Sequence, residues 1–313
     1  MAFDGLDYRP QTPPNRYPTI LDHLTRPQLE VKVSEHANLD GTPTYSRAGY
    51  FSWKDIDPEQ LHHWTDFSYS NVMDEFGEIL ETPMVAESSV FYSAQRASSV
   101  VRNEGDVEDR LKRFLWTDVQ RALDHVFLPH STLFPGARTP VPIQEFQAAK
   151  THTYLNNKLG TSVPSIAGLK PDRIAVEDST DVVRLVGDVK VSWKWASSMA
   201  DGERREKHKY RQGLSQVNCY SNQRWTRYGF ILTEKELQCF RRHVDEDGEP
   251  VDGALDLATP IPLSAYGREV MTVELGLWYL CMLAADDDEW ELMSSTWNKK
   301  SRKRIRRSPI FRG

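Results

Sequence analysis

The chain has 313 residues, of which 39% are hydrophobic and 27% are charged, a balance typical of a globular protein rather than a disordered one. Its formal net charge of −6 does not by itself indicate a nucleic-acid partner, so the distribution of charge matters more. Cys219, Cys239 and Cys281 are too few for a four-cysteine iron–sulfur cluster and fit a reducing, intracellular compartment better than a disulfide framework. No apolar segment is long enough to span a bilayer, so no membrane partner is expected.

The two ends of the chain differ in composition from the region between them. Residues 1–45 are rich in proline and have no sustained hydrophobic period, which predicts an extended or disordered N-terminal arm. Residues 46–298 are predicted to form a single domain. Residues 299–313 contain eight basic residues and no acidic one, which predicts a disordered tail. We interpret the tail as a nuclear-import signal or a phosphate-binding arm, with a solvated basic end as the alternative, so the nucleus is preferred over the cytoplasm.

The first clear helix is predicted from Glu104 to about Phe127. Its apolar residues recur at the helical period, at Val107, Leu111, Leu115, Val119 and Leu123. Glu104 lies at the N-terminal end of this apolar stripe, which directs a carboxylate toward the core, and Glu108 is the reserve candidate at a neighbouring angle. The helix macrodipole, which favours acidic residues in a first turn, explains Glu104 equally well.

Residues 169–195 are predicted to form a hairpin of two strands, Arg173–Val176 and Val182–Ser192. Alternation predicts one face with Val183, Leu185, Val189 and Val191 and the other with Val186, Asp188 and Lys190. A charge on so apolar a strand needs a partner or a metal ion to offset its desolvation. Asp172 supplies a second carboxylate at the same end of the hairpin, so two carboxylates and an ammonium outline an Mg²⁺ site. The alternative is a surface hairpin in which Asp188 and Lys190 simply pair.

A helix that is basic at its start is predicted from about Gly202 to Asn222. Its basic residues are Arg204, Arg205, Lys207, Lys209 and Arg211. Gln216 and Tyr220 lie four residues apart and therefore on one side of this helix, where a satisfied surface pair is the structural alternative. A strand pair (227–233 and 236–243), an acidic connection (244–265) and an apolar helix (270–285) follow. Together these elements predict an α/β fold with a central mixed sheet flanked by helices.

Pro171-Asp172 followed by Asp188-Val189-Lys190 resembles the P-D…(D/E)-x-K motif of the PD-(D/E)xK nuclease superfamily. The order of elements between Glu104 and His243 is also similar to that of the superfamily. Asn103-Glu104-Gly105-Asp106-Val107 resembles the start of the first core helix in restriction-type members, and Gln216-x-x-x-Tyr220 resembles an element of RecB-like members. The sequence around Gly187–Lys190 and Arg227–Phe230 resembles that of an uncharacterised group of fungal nuclease-like proteins.

This resemblance implies a restriction-endonuclease-like core over residues 104–243 and a metal-dependent nuclease, with DNA preferred over RNA. Asp172, Asp188, the Val189 carbonyl and Glu104 would hold Mg²⁺ or Mn²⁺, and Lys190 would orient or deprotonate the attacking water. Gln216, Tyr220 and the basic residues Arg204, Arg205, Lys207, Lys209 and Arg211 would contact nucleic acid. The alternatives are a non-catalytic nucleic-acid- or protein-binding module on the same fold, and an unrelated α/β scaffold.

Overall fold

A computed structural model describes residues 18–28, 31–34, 51–84, 100–111, 115–128, 154–159, 170–177 and 180–292. The fold is α/β, with a mixed eight-stranded sheet between helices, as predicted. The strands are β1 (Lys32–Val33), β2 (Leu61–His63), β3 (Val100–Val101), β4 (Leu155–Leu159), β5 (Arg173–Glu177), β6 (Val183–Val189), β7 (Tyr228–Leu232), β8 (Glu236–Val244), β9 (Pro250–Leu257) and β10 (Ile261–Pro262). The helices are α1 (Ile20–Leu24), α2 (Tyr69–Leu80), α3 (Glu104–Leu111), α4 (Thr117–Phe127), α5 (Arg204–Arg224) and α6 (Val273–Ala285).

The large sheet has the strand order β2-β9-β8-β7-β6-β5-β4, with β10 paired to β8, while β1 and β3 form a separate parallel pair. Within it, β6–β7 and β2–β9 are parallel and the other pairs are antiparallel. A parallel pair of consecutive strands needs a crossover, and α5 supplies it between β6 and β7. The crossover places α5 over the same two strands.

Two apolar clusters pack on opposite faces of the sheet. One lies between the sheet and helices α1, α2, α4 and α6, and it includes Leu185, Phe230 and Trp278. The other lies between the sheet and α5, and it includes Val186 and Ile231. Successive strand residues point to opposite faces, so β6 contributes Leu185 to the first cluster and Val186 to the second. Among the described residues, no helix combines the length and apolar character needed to cross a membrane.

One predicted side-chain direction on β6 is wrong. Val183 packs with Val186 in the α5 cluster rather than with Leu185. The register between β5 and β6 shifts at this point, because Ala175 pairs with Leu185 while Val176 pairs with Val183. The extra residue makes a β-bulge, which reverses the alternation. The bulge precedes Asp188 and Lys190, so these two residues still share the face of Val186.

Three other predicted segments differ from the structure. Helix α1 lies within residues 1–45, and its residues Ile20 and Leu21 are buried in the core, so this part is neither extended nor disordered. Residues 244–265, predicted to be a connection, contain β9 and β10. Within the helix predicted over 104–127, the structure describes α3 and α4 with a π-helical turn at Leu115 and Trp116, while residues 112–114 lie outside the described residues. The predicted basic tail, 299–313, lies outside the described residues.

Candidate active site

The C-terminal end of β6 places the predicted acid and lysine on the face that packs against α5. Asp188 and Lys190 are 1% and 4% exposed, and the Lys190 ammonium forms an ion pair with Asp188 Oδ2. The backbone N–H of Lys190 donates to the Leu232 carbonyl at 2.9 Å, which ties this end of the strand to β7. Burial alone would lower the pKa of Lys190, but the surrounding carboxylates, Asp188 first and then Glu104 and Asp172, together outweigh burial and hold the pKa above its ordinary value.

Asp172 lies beside Asp188 because the antiparallel register sets Arg173 opposite Gly187. Its Oδ2 accepts a hydrogen bond from the Val189 N–H at 3.0 Å, so Val189 contributes its amide to the site. Burial, and then the neighbouring Asp188 carboxyl group, raise the pKa of Asp172 to about 8. Two carboxyl groups are therefore held so closely that they favour sharing a proton or a cation.

Helix α5 holds Lys190 in place through Gln216 and Tyr220. Lys190 Nζ donates to Gln216 Oε1 at 3.0 Å, and Gln216 Nε2 donates to the Tyr220 hydroxyl at 2.8 Å. The i,i+4 spacing makes the second contact possible, since residues four apart lie on one side of a helix. Burial, and then the nearby Asp188 charge, raise the pKa of Tyr220. The phenol thus stays protonated at neutral pH, where its oxygen accepts from Gln216.

The helix carboxylate predicted for this site is held by another lysine. Glu104 Oε2 lies 2.9 Å from Lys194 Nζ, in the turn that follows β6. Glu104 also helps to raise the pKa of Lys190, which places its charge near the two aspartates. Glu108 Oε1 lies 3.6 Å from Arg173 Nη2, and Glu108 is not among the carboxylates that raise the pKa of Lys190. Of the two candidates, the structure places Glu104 nearer to Lys190.

Lys194 belongs to this neighbourhood, although the sequence motif did not identify it. It stands four residues after Lys190, outside β6, and it is partly exposed beside Glu104. Its sequence signal is a second lysine shortly after the D-x-K tripeptide. That signal is weak, because the approach of α3 to the turn after β6 depends on tertiary packing.

The five basic residues of α5 do not share one surface. With 3.6 residues per turn, Lys209 and Arg205 lie within about 20° of Gln216 around the helix axis. Lys207 lies about 180° away, and Arg204 and Arg211 are rotated by about 120° and 140°. Arg211 stacks on the Trp53 ring, with its guanidinium carbon 4.5 Å from the ring centroid. Only Arg205 and Lys209 therefore extend the side of α5 that bears Gln216 and Tyr220.

The donor set at the end of β6 suits a hard divalent cation. Asp172 and Asp188 provide two carboxylates, and burial, followed by repulsion from Asp188, raises the pKa of Asp172. Mg²⁺ is usually held by one or two carboxylates, with water or phosphate oxygens as its other ligands. The described residues contain no group of three or more His, Cys, Asp or Glu side chains arranged around a metal. Asp172 and Asp188 therefore fit Mg²⁺ or Mn²⁺ only if water or substrate supplies the remaining ligands.

The comparisons with protein-family models, with curated proteins and with solved structures found no match to this chain. What this site does must therefore be argued from its residues and their geometry.

Proposed function

We propose that this chain is a metal-dependent nuclease of the PD-(D/E)xK type, which hydrolyses phosphodiester bonds in nucleic acid, with DNA preferred over RNA. The observation that supports it best is the juxtaposition of Asp172, Asp188 and Lys190 at one end of β6. The element order β5, β6, α5, β7 around these residues is also the order expected of a restriction-endonuclease-like core.

Each residue has a role that follows from its chemistry. Asp172 and Asp188 would hold Mg²⁺ or Mn²⁺, which supplies a coordinated water of lowered pKa and neutralises phosphate charge. Lys190 has a raised pKa and stays cationic at neutral pH. It is therefore better suited to orient the attacking water and to stabilise negative charge than to remove a proton. Gln216 fixes the direction of that ammonium through its 3.0 Å hydrogen bond.

The test is incubation of the full chain with labelled single- and double-stranded DNA and RNA, in Mg²⁺, in Mn²⁺ or in EDTA. We expect cleavage that EDTA abolishes, and a loss of about 10²–10³-fold in rate for Lys190→Ala. Asp188→Asn keeps the size of the side chain but removes a charge that binds the cation, so it should lose cleavage as well. Absence of cleavage of all four substrates would contradict the proposal.

An exposed ion pair provides the matched control. Lys158 lies in β4 and Asp181 in the turn between β5 and β6. The Lys158 Nζ is 2.8 Å from Asp181 Oδ1. Lys158→Ala and Asp181→Asn repeat the same two chemical changes away from β6, and we expect cleavage at the unmutated rate. Loss of activity in these variants would show that the assay reports surface charge rather than the site.

One observation favours a second candidate function, a non-catalytic nucleic-acid- or protein-binding module on this fold. Asp188 and Lys190 are almost fully buried and are paired directly with each other, as a structural ion pair would be. In that case nucleic acid or protein would bind without cleavage, and Mn²⁺ would not change the thermal stability. A thermal melt with and without Mn²⁺ therefore distinguishes the two functions.

A further inference from the structure

An open cleft lies on the α5 face of the sheet, away from Asp188. Its volume is about 450 Å³, within the range of small-molecule sites. Residues from β2, β8, the N-terminal half of α5 and the segments 197–201 and 257–260 line it. Gln238 of β8 and Tyr210 of α5 are its two most deeply buried polar residues, with 2% and 6% of their surface exposed.

The strand register separates this cleft from the candidate active site. Asp188 pairs with Ile231, and Ile231 pairs with Gln238, so these residues form one row across three strands. Neighbouring strands lie about 4.8 Å apart, which sets the Asp188 and Gln238 backbones about 10 Å apart. Ile231, between them, belongs to the cluster that contains Leu214 and Val217 of α5. The cleft and Asp188 are therefore on opposite sides of α5.

Several polar groups at the cleft have no hydrogen-bond partner among the described residues, including the Gln238 side-chain oxygen, the Tyr210 hydroxyl and His62 Nε2. Gln238 Nε2 donates to the Cys239 and Ala258 carbonyls, at 3.1 and 2.6 Å, and these bonds leave the side-chain oxygen without a donor. The Tyr210 hydroxyl likewise forms no hydrogen bond with the described residues. The Tyr210 ring stacks on Trp195, with 5.6 Å between the two ring centroids. An acceptor and a hydroxyl on two otherwise buried side chains at one cleft are the kind of groups that orient a ligand.

The remaining lining indicates which ligands fit. The basic side chains of the lining are the imidazoles of His62 and His63, with no lysine or arginine, and Asp201 adds a negative charge. The cleft therefore lacks the permanent positive charge that would favour a phosphate. Burial, and then Glu236 and Asp201, raise the pKa of Tyr210 to about 12, which keeps its hydroxyl protonated and able to donate. Apolar surface beside these polar groups comes from the side chains of Leu61 and Leu257, and the planar rings of the lining are those of Tyr210 and the two histidines.

We propose that this cleft binds an uncharged planar heterocycle that carries adjacent N–H donor and acceptor atoms, as a nucleobase does. Its N–H would donate to the Gln238 side-chain oxygen, and its acceptor atom would accept a hydrogen bond from the Tyr210 hydroxyl. The site is separate from Asp188, and its occupancy does not depend on cleavage activity.

Calorimetric titration of the full chain with adenosine, guanosine, cytidine and uridine, with benzamidinium and inorganic phosphate alongside, tests this proposal. We expect at least one nucleoside to bind, and Tyr210→Phe to weaken it about three- to tenfold, the effect of one hydrogen bond. Because the Tyr210 hydroxyl has no protein partner among the described residues, the variant should melt at the unmutated temperature.

Tyr266→Phe, at an exposed tyrosine that does not line the cleft, is the control and should leave nucleoside affinity unchanged. Tyr220→Phe, on the same helix as Tyr210 but facing Lys190, tests the other site. A weakening by Tyr220→Phe instead of Tyr210→Phe would place the nucleoside at the Asp188 site and overturn the proposal. Tighter binding of benzamidinium or phosphate than of any nucleoside would overturn the ligand class. Absence of nucleoside binding at millimolar concentration would overturn the site itself.

Discussion

At the scale of single residues, the Asp188–Lys190 pair decides how the site behaves without a cation. An isolated charge buried in a protein is costly, and an ion pair offsets that cost only while both partners are present. Asp188 is the more deeply buried of the two, and its Oδ2 accepts no hydrogen bond from the described residues beyond the contact with Lys190. Lys190 therefore neutralises the carboxylate that a divalent cation would otherwise neutralise.

Removal of Lys190 should make the stability of the protein depend on divalent cations. Lys190→Ala leaves Asp188 without a counter-ion, and we expect a loss of about 3–5 kcal/mol in the free energy of unfolding in EDTA. Mn²⁺ should restore part of this loss, because it binds the native carboxylates and not the unfolded chain. Chemical denaturation with Mn²⁺ or EDTA measures both effects.

The exposed Lys158–Asp181 pair provides the control for that measurement. Lys158→Ala should cost less than about 1 kcal/mol and should show no added response to Mn²⁺. If Lys190→Ala is strongly destabilised and Mn²⁺ shifts neither this variant nor the unmutated protein, Asp188 and Lys190 are a structural pair and the nuclease proposal fails.

The grouping of side chains at the end of β6 could be predicted from the sequence, because it follows from the side-chain periodicity of one strand and one helix. The strand period put Asp188 and Lys190 on one face, and the helical period put Gln216 and Tyr220 on one side of α5. The pairing of Glu104 with Lys194 could not be predicted, since it joins residues ninety positions apart. Val183 was placed on the wrong face because a bulge leaves no clear sign in an apolar strand.

At the scale of elements, α5 presents different surfaces to the sheet, the candidate active site and the solvent. Tyr210, Leu214 and Val217 pack on the sheet. Gln216 and Tyr220 face Lys190, and Arg205 and Lys209 continue that side toward the start of the helix. A nucleic-acid strand that reaches Lys190 along α5 would therefore meet Lys209 before any basic residue on the opposite side.

This arrangement predicts unequal effects of two lysines on the same helix. Lys209→Ala should weaken binding of duplex DNA and reduce the slope of log affinity against log salt by about 0.9, the effect of one lost phosphate contact. Lys207→Ala removes the same charge from the opposite side and should leave the slope unchanged. Fluorescence anisotropy in EDTA, at several salt concentrations, gives both slopes. Equal slopes for the two variants would contradict this orientation of the substrate.

A second prediction for α5 concerns its close contact with Trp195. A Cβ atom at Gly213 would lie 2.4 Å from Trp195 Cδ1, so Gly213→Ala must displace the ring and should cost about 1–3 kcal/mol. Gly77 in α2 is the control, because a Cβ there would lie 3.4 Å from the flexible Met73 Cε. Gly77→Ala should stabilise the protein by about 0.5–1 kcal/mol through helix propensity. Urea unfolding of both variants tests the difference in sign.

The elements missed from the sequence have weak local patterns. Strand β9 contains Asp252, Gly253 and Asp256, residue types that are depleted in strands, and it forms because β8 and β2 pair with its two edges. Helix α1 has only five residues and is held by its Thr19 capping box and by burial. Strand β4 is an edge strand with two asparagines, paired to β5 alone among the described strands. Each of these elements depends on tertiary contacts more than on its own sequence.

At the scale of the whole molecule, the two sides of the sheet contain different features. The α5 side contains the candidate active site and the proposed nucleobase cleft. The opposite side contains the larger apolar cluster, and α6 lies almost wholly within it. A buried acid in α6 should therefore influence the stability of the protein and leave the α5 side unchanged.

Glu274 is that acid. It is fully buried at the start of α6, and neither of its side-chain oxygens has a hydrogen-bond partner among the described residues. Burial is the main reason that its pKa is raised, to about 8, with Asp118 adding to the effect and Arg26 opposing it. The folded protein therefore keeps the Glu274 proton to a higher pH than the unfolded chain, in which the ordinary value is 4.5.

The sign of the pH dependence follows from this difference. The contribution of Glu274 to the free energy of unfolding is fully present below about pH 4.5 and is lost as the pH rises through about 8. Between these pH values the unfolded chain releases the Glu274 proton while the folded protein keeps it, so rising pH favours the unfolded chain. Glu274→Gln cannot ionise, so its stability relative to the unmutated protein should rise between these pH values. The gain is at most about 1.4 kcal/mol per pH unit, and roughly 5 kcal/mol across the window.

Urea unfolding at pH 5, 6, 7 and 8 measures this relative stability. Glu246→Gln is the control, because it makes the same chemical change at an exposed residue in the β8–β9 turn. The fixed cost of burying the amide that Glu274→Gln introduces shifts the whole curve but not its slope, so the slope is the quantity to compare. A Glu274→Gln curve parallel to that of the unmutated protein would show that Glu274 finds a partner for its charge in solution.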